Sequence, residues 1–69
     1  MLSYEKAHAL TGRDAKFTER TGGKLIATVN CVTSDWIWLV DVRPIPGESR
    51  VLRDPLDGPL GAFRSMEAV

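Results

Sequence analysis

The sequence predicts a mainly β domain, in which a short N-terminal helix precedes a small, strongly bent five-stranded antiparallel sheet or a small β-barrel. An N-cap serine and about two turns of helical periodicity open the chain, and apolar residues then alternate with a period of two. Glycine- and proline-containing turns divide the alternating part into short segments. All 69 residues are expected to form one domain, near the lower size limit for chains that fold alone.

The first predicted element is a helix over residues 3–11. Ser3 is a favoured N-cap, because its hydroxyl accepts a hydrogen bond from an unpaired amide of the first turn. Gly12 supplies the left-handed residue that commonly ends a helix. A helix of this length is unstable alone, so we expect it to dock on the rest of the chain.

Residues 14–65 are predicted to carry the strands, followed by a tail over residues 66–69. The strand segments read AKFTER, KLIATVNCVT, WIWLVDVR and SRVLRD, and AFRSMEAV is either a fifth strand or a frayed end. TGG and SD provide the first two turns. Pro44 and Pro46 end the third strand, because proline has no N–H for the ladder, and DPLDGPLG is typical of a connector.

The second and third strands are expected to form a hairpin with Ser34 and Asp35 as its two loop residues. Uninterrupted pairing from that turn puts one set of residues on the core face, namely Leu25, Ala27, Val29, Cys31, Trp36, Trp38, Val40 and Val42. The reverse face then carries Ile26, Val32, Ile37 and Leu39 among polar residues. That face is more apolar than the solvated side of an antiparallel sheet, so either the chain's own helix or chain end covers it, or another chain does.

Composition argues against several functional classes without excluding nucleic-acid binding. Nine basic residues balance nine acidic ones, whereas non-specific nucleic-acid binders usually carry a basic patch. No apolar run approaches the ~20 residues that span a bilayer, and the N-terminus lacks the pattern of a signal peptide. The single cysteine, Cys31, favours a reducing compartment. We expect a cytoplasmic protein with no membrane partner.

No motif points to catalysis. His8 has no nucleophile to serve, since Ser3 and Tyr4 are explained by capping and packing. One histidine and one cysteine cannot make a four-ligand zinc site. Most of the aspartates, such as Asp35 and Asp57, occur where turns favour that residue. We therefore expect no catalytic residue, no cofactor and no metal, and we expect that the protein is not an enzyme.

The segments TGGKLIATV, DWIWLVDV and SRVLRD, after a short helix, resemble the strand pattern of the Sm-like and SH3-like small β-barrels. Their order is also similar to that of the Rho-inhibitor family Rof, in which a helix precedes an apolar third strand and a short arginine-containing strand. The resemblance covers residues 3–65 and implies a fold only. No functional residue is carried over from it. The pore motif of the SH3-like plasmid-borne dihydrofolate reductases is absent.

The resulting functional hypothesis is a small non-enzymatic protein-binding module, such as an inhibitor, adaptor or regulator, that also forms a homo-oligomer. Tryptophan and arginine are common in binding hot spots, and the expected interface residues are Val32, Trp36, Ile37, Leu39 and Arg43. The first alternative is an Sm-like binder of RNA or single-stranded nucleic acid, in which a base stacks near Trp36, Arg50 and Arg53. An enzyme assembled in an oligomer pore is a weaker alternative. The small size would suit a phage, plasmid or integron-cassette protein.

Overall fold

The computed structural model describes residues 2–48 and 50–69. The elements are α1 (Tyr4–Ala9), β1 (Asp14–Glu19), β2 (Lys24–Val32), β3 (Trp36–Pro44), β4 (Leu56–Pro59) and β5 (Phe63–Ala68), with a 3-10 turn at Leu60–Ala62. The strands form one antiparallel sheet in the order β4-β3-β2-β1-β5. The predicted fold class is confirmed. Over the described residues the sheet is open, with β4 and β5 at its two edges.

The helix begins where the sequence predicts. Ser3 caps it, because the Lys6 N–H donates to the Ser3 hydroxyl oxygen at 3.3 Å. Gly12 follows the helix with a φ of +82°, a conformation that favours glycine. Ala7 is buried and docks α1 on the core. Among the described residues, no helix has the length and apolar character needed to cross a membrane.

In the second half of the chain, the prediction of SRVLRD as a strand and of DPLDGPLG as a connector is wrong, whereas AFRSMEAV does contain the fifth strand. Residues 50–53 lie outside the strands, and Ser49, which belongs to the same predicted strand, lies outside the described residues. β4 comes instead from the segment that looked like a connector, and it tolerates Pro59 because it is an edge strand. β5 continues through the predicted tail, where Met66 is fully buried. Packing of Met66 on the core keeps this end of the chain in the sheet.

The turn between β2 and β3 has the predicted geometry. Thr33 N–H donates to the Trp36 carbonyl oxygen at 2.8 Å, which closes a two-residue loop over residues 34–35. Cys31 is paired with Trp38, as the predicted register requires. The prediction of the hairpin and of its turn is therefore confirmed.

Beyond the turn, two bulges shift the pairing of β2 with β3 and then restore it. β2 carries an extra residue at Asn30, after which Val29 pairs with Leu39. β3 carries an extra residue near Asp41, whose φ of +53° marks the distortion, and the register of the turn returns at Ile26. Each bulge bends its strand and places two residues opposite one.

The Asn30 bulge reverses the alternation of β2, so the faces of β3 from Trp36 to Val40 are opposite to those predicted. Beyond the Asp41 bulge the predicted faces return, and Val42 packs against the core. Ile37 and Leu39 have no exposed surface, whereas Trp36 and Trp38 are each 36% exposed. Cys31 is paired with Trp38 but is exposed rather than buried. The sequence pattern alone does not reveal this inversion, because it assumes unbroken pairing.

The core lies on one side of the sheet, which we call the inner side; the opposite side is the outer side. The buried apolar residues are Leu2, Ala7, Ala15, Phe17, Leu25, Ala27, Val29, Ile37, Leu39, Leu60, Phe63 and Met66. The rings of Phe17 and Phe63 pack at a centroid distance of 5.3 Å and a tilt of 56°, a favourable aromatic geometry. Ala7 of α1 belongs to the same cluster as Ile37 and Leu39. The chain itself therefore covers the face that the sequence left open to a second chain.

We expect Leu39→Ala to lower the free energy of unfolding by about 2–5 kcal/mol, because it leaves a cavity in a fully buried position. A single core of this size supplies only ~3–5 kcal/mol, so the variant is expected to be largely unfolded. Ile37→Asp should unfold the domain outright, since it buries an unpaired charge. Urea denaturation followed by circular dichroism measures both effects.

Val40→Ala is the matched control for Leu39→Ala, because the neighbouring side chain lies on the outer side of the same strand and is only partly buried. It should cost clearly less than Leu39→Ala. Equal losses for the two variants would contradict the assignment of the faces.

Candidate functional site

An exposed aromatic surface lies on the outer side of the sheet, along the first half of β3. Trp36 and Trp38 alternate with the buried Ile37 and Leu39, so their side chains share the outer side, roughly 7 Å apart along the strand. Both neighbouring strands contribute to the surface, since Cys31 of β2 and Asp57 of β4 are the two residues paired with Trp38. The tryptophan face denotes this group, which consists of Cys31, Trp36, Trp38, Val40 and Asp57.

β4 fixes the position of Trp36. The indole Nε1–H of Trp36 donates to Asp57 Oδ2 at 2.8 Å, and the backbone of Trp36 is paired with Pro59. This hydrogen bond restricts the rotamers of the Trp36 side chain before a partner binds. Binding therefore costs less side-chain entropy than it would for an unrestrained tryptophan. The ring is therefore held in place while 36% of the residue remains accessible.

Arg53 lies at the rim of the tryptophan face. Its Nη2 group donates to the Asp57 carbonyl oxygen at 3.4 Å and lies 3.8 Å from the Asp57 carboxylate oxygen Oδ1. The Arg53 side chain is 67% exposed, so water screens this ion pair and it contributes little to stability. Each end of the pair remains accessible to a partner.

A polar cluster occupies the outer side at the other end of β3. Arg43 donates to the Asp14 carboxylate and, at 2.7 Å, to the carbonyl oxygen of Asp41 in the bulge. The hydroxyl of Thr28 also donates to the Asp14 carboxylate. These hydrogen bonds, with that of Thr28 first, and the charge of Arg43 lower the pKa of Asp14 below its usual 3.8. The cluster ties β1, β2 and β3 together on the outer side of the sheet.

The structure separates the predicted interface residues. Ile37 and Leu39 are in the core, and Val32 is half-buried and packs against it. These three are a correction to the predicted interface: the Asn30 bulge turns them to the inner side, where a partner cannot reach Ile37 or Leu39. The sequence predicts Trp36 on the core face and at the rim of the interface; it lies on the outer side, where 36% of the residue is exposed.

Arg43 also lies on the outer side, in the polar cluster at the far end of β3 from Trp36.

The structure also separates the residues predicted for nucleic-acid binding. Arg53 lies next to Asp57, which holds Trp36, but Arg50 lies over the β1–β2 turn, with its Nη2 2.7 Å from Glu19 Oε1. Only one of the two arginines therefore accompanies Trp36.

Sequence reasoning missed Trp38, Cys31 and Val40 as surface residues. Their alternation with Ile37 and Leu39 shows that they share a face, but it does not say which face is inside. One signal was present in the sequence, because an indole N–H needs a hydrogen-bond partner when it is buried. Two adjacent tryptophans on a core face would have needed two such partners.

The groups with catalytic potential are dispersed. His8 is exposed on α1 and stacks on Tyr4 at a ring distance of 5.4 Å. Cys31 is exposed on β2. Within the described residues, no group of three or more His, Cys, Asp or Glu side chains is placed to hold a metal ion. A cleft of about 440 Å³ lies between residues 2–5, 34–35 and 59–61, and Ser3, one of its polar residues, already caps α1.

Comparisons with protein-family models, with curated proteins and with solved structures found no match for this chain. The tryptophan face is accordingly interpreted from its own geometry and chemistry.

We expect Asp14→Asn to reduce the loss of stability in acid. A carboxylate whose pKa is lower in the folded than in the unfolded state stabilises the fold above its unfolded pKa, and this contribution disappears as the pH falls through the folded pKa. For Asp14 this loss of stability falls at pH values below 3.8, the ordinary pKa of its carboxyl group. Urea midpoints measured between about pH 5 and about pH 2 should therefore fall less for Asp14→Asn than for the unmodified chain.

Asp35→Asn is a suitable control, since it removes a carboxylate outside this cluster. An equally steep acid loss in Asp14→Asn and in the unmodified chain would show that the bonds from Thr28 and Arg43 do not favour the ionised carboxylate.

Proposed function

We propose that this domain is a non-enzymatic protein-binding module whose contact surface is the tryptophan face. The observation that carries the proposal is a pair of exposed tryptophans on a regular strand, one of them held by Asp57. Tryptophan is among the residues most enriched in binding hot spots. A sheet also places such side chains more rigidly than a loop does.

The exposed area of the two rings sets the scale of the interaction. A tryptophan has roughly 150–250 Å² to bury, so 36% exposure leaves roughly 50–90 Å² on each for a partner. At ~25 cal/mol per Å², burying this area on both residues supplies about 2.5–4.5 kcal/mol. Micromolar affinity requires about 8 kcal/mol, so a partner must also contact the polar groups around the rings. Arg53 and Asp57 provide both signs of charge there.

A second copy of this chain is the first partner to test. Its formal net charge of 0 means that two copies do not repel each other at long range. The tryptophan face combines an apolar centre with both a cation and an anion at its edge, which suits the self-complementary contact of a two-fold dimer. We therefore propose that the chain forms a homo-oligomer through the tryptophan face and not through Ile37 and Leu39.

We also propose that the protein is cytoplasmic. An exposed thiol at Cys31 suits a reducing compartment, where it is not drawn into disulfides. The dispersion of His8 and Cys31 supports the non-enzymatic assignment, because nucleophilic catalysis needs a base within hydrogen-bond reach of the nucleophile.

Binding of single-stranded nucleic acid is the second candidate, supported by the proximity of Arg53 to Trp36. Two observations weigh against it. The Asp57 carboxylate beside Trp36 repels a phosphate backbone, and the cation of Arg50 is paired with Glu19 elsewhere. Protein binding is therefore the stronger proposal.

We expect Trp38→Ala to leave the fold intact and to weaken binding about 30-fold, the loss typical of a hot-spot residue worth about 2 kcal/mol. Sedimentation equilibrium of the purified chain over a range of concentrations measures the dimer constant. Where the chain is monomeric, the affinity of a partner captured from a lysate is measured in its place. Trp36→Ala should act in the same direction.

Tyr4→Ala is the matched control, because Tyr4 is an aromatic residue of similar exposure, 39%, on α1 rather than on the tryptophan face. It should not change the association. If Trp38→Ala and Tyr4→Ala bind as tightly as the unmodified chain, the tryptophan face is not the contact surface. Co-purification with nucleic acid, released by salt and abolished by Trp36→Ala, would favour the second candidate instead.

A further inference from the structure

The two edge strands of the open sheet, β4 and β5, differ in how far another strand can pair with them. An edge strand presents unpaired N–H and C=O groups, which an extended segment of another chain can use to add a strand to the sheet. The backbone groups of successive residues point to opposite sides of an antiparallel strand, so the register identifies the outward-facing ones.

β4 is a blocked edge. Leu60 N–H donates to the Asp35 carbonyl oxygen at 3.1 Å, and by alternation the backbone groups of Asp57 and Pro59 face away from β3. Pro59 has no N–H, and the Asp57 carbonyl oxygen already accepts from Arg53. This edge therefore offers an incoming strand few partners.

β5 is an open edge over its second half. Val69 N–H donates to the Asp14 carbonyl oxygen at 3.3 Å, so Val69 and, two residues earlier, Glu67 face β1. Met66 and Ala68 consequently direct their N–H and C=O groups away from the sheet. Among the hydrogen bonds of residues 2–48 and 50–69 outside the regular ladders, none uses these four groups.

The start of β5 is closed by the N-terminal segment. Leu2 N–H donates to the Phe63 carbonyl oxygen at 3.3 Å, on the edge that faces away from β1. The accessible part of the edge therefore runs over residues 64–68, and it contains no proline.

We propose that the edge of β5 from Met66 to Ala68 accepts an extended segment of a different protein, with a lysine or arginine opposite Glu67. Two apolar residues would flank that basic residue, because their side chains would continue the inner side beside Met66 and Ala68. Glu67 is exposed on the outer side, and although Lys16 is its neighbour on β1, no ion pair within 4.0 Å joins them among the described residues. This surface lies at the edge opposite β4 and is separate from the tryptophan face.

Charge decides between a different protein and a second copy as the occupant. Two antiparallel registers of two copies use the outward groups of Met66 and Ala68. One pairs each Met66 with the other copy's Ala68, and the other pairs Met66 with Met66. In the first register Glu67 of each copy lies directly opposite its counterpart, roughly 5 Å away across the two strands, and in the second it lies opposite the uncharged Ser65, so neither register places a cation opposite Glu67. Like charges in that position destabilise pairing, whereas opposite charges stabilise it. A basic residue in another chain is therefore the better complement.

Two labelled peptides of alternating threonine and valine test this edge on the full chain. One has lysine at its centre between two valines, and the other has glutamate in place of the lysine. Fluorescence anisotropy should show the lysine peptide binding about tenfold more tightly than the glutamate peptide. The variant Glu67→Lys should reverse that preference. Ala68→Pro should abolish binding while leaving the fold intact, because it removes an N–H that faces away from β1.

Trp38→Ala should bind the lysine peptide like the unmodified chain, so failure at the tryptophan face and failure at this edge are distinguishable. Circular dichroism of each variant checks that it is folded. If Ala68→Pro unfolds the domain, the peptide preference of Glu67→Lys still tests the proposal. The proposal is overturned if the chain does not bind the lysine peptide, if both peptides bind equally, or if Glu67→Lys keeps the original preference. A dimer of the unmodified chain that is lost in Ala68→Pro would also overturn it, in favour of a second copy at this edge.

Discussion

The pairing of β2 with β3 determines which side chains of this domain reach the core. These two strands make the most extensive pairing in the sheet, and the bulges at Asn30 and Asp41 shift its register by one residue and then shift it back. Over the short stretch between the bulges, Val29 and Leu39 face each other on the inner side. Since the side-chain period of a strand is two, one extra residue moves every following side chain to the other face.

The same pairing leaves two tryptophans partly exposed on the outer side, each with 36% of its surface accessible. The inner side is filled by smaller aliphatic residues and by Phe17 and Phe63, and α1 closes over them through Ala7. The larger rings remain on the outer side, where β4 supplies the Asp57 carboxylate for the indole of Trp36. A domain of this size keeps few large apolar side chains out of its core, so their exposure supports a role in binding.

The open form of the sheet adds a second level of organisation. A closed barrel has no edges, whereas an open sheet must protect them or use them. β4 is protected by Pro59 and by the bond from Arg53 to the Asp57 carbonyl, while within residues 2–48 and 50–69 the backbone of β5 is protected only at Phe63. The charge of Glu67 disfavours the register in which two copies place it opposite its counterpart, and it does not block the backbone groups on either side of it. The two proposed contact surfaces therefore lie on different parts of the same sheet.

Local residue chemistry in the sequence by itself determined the helix start at Ser3, the turn at residues 34–35 and the mainly β class, because capping, turn formation and alternation depend on neighbours within a few residues. The same alternation placed Trp36 and Trp38 on one face of β3. Only the tertiary structure decided that this face is the outer one, since the bulge at Asn30 is a feature of the pairing between β2 and β3, which the alternation along a single strand does not show. It likewise decided that β4 forms from a proline-containing segment, because pairing with the exposed edge of β3 outweighs the low strand propensity of glycine and proline.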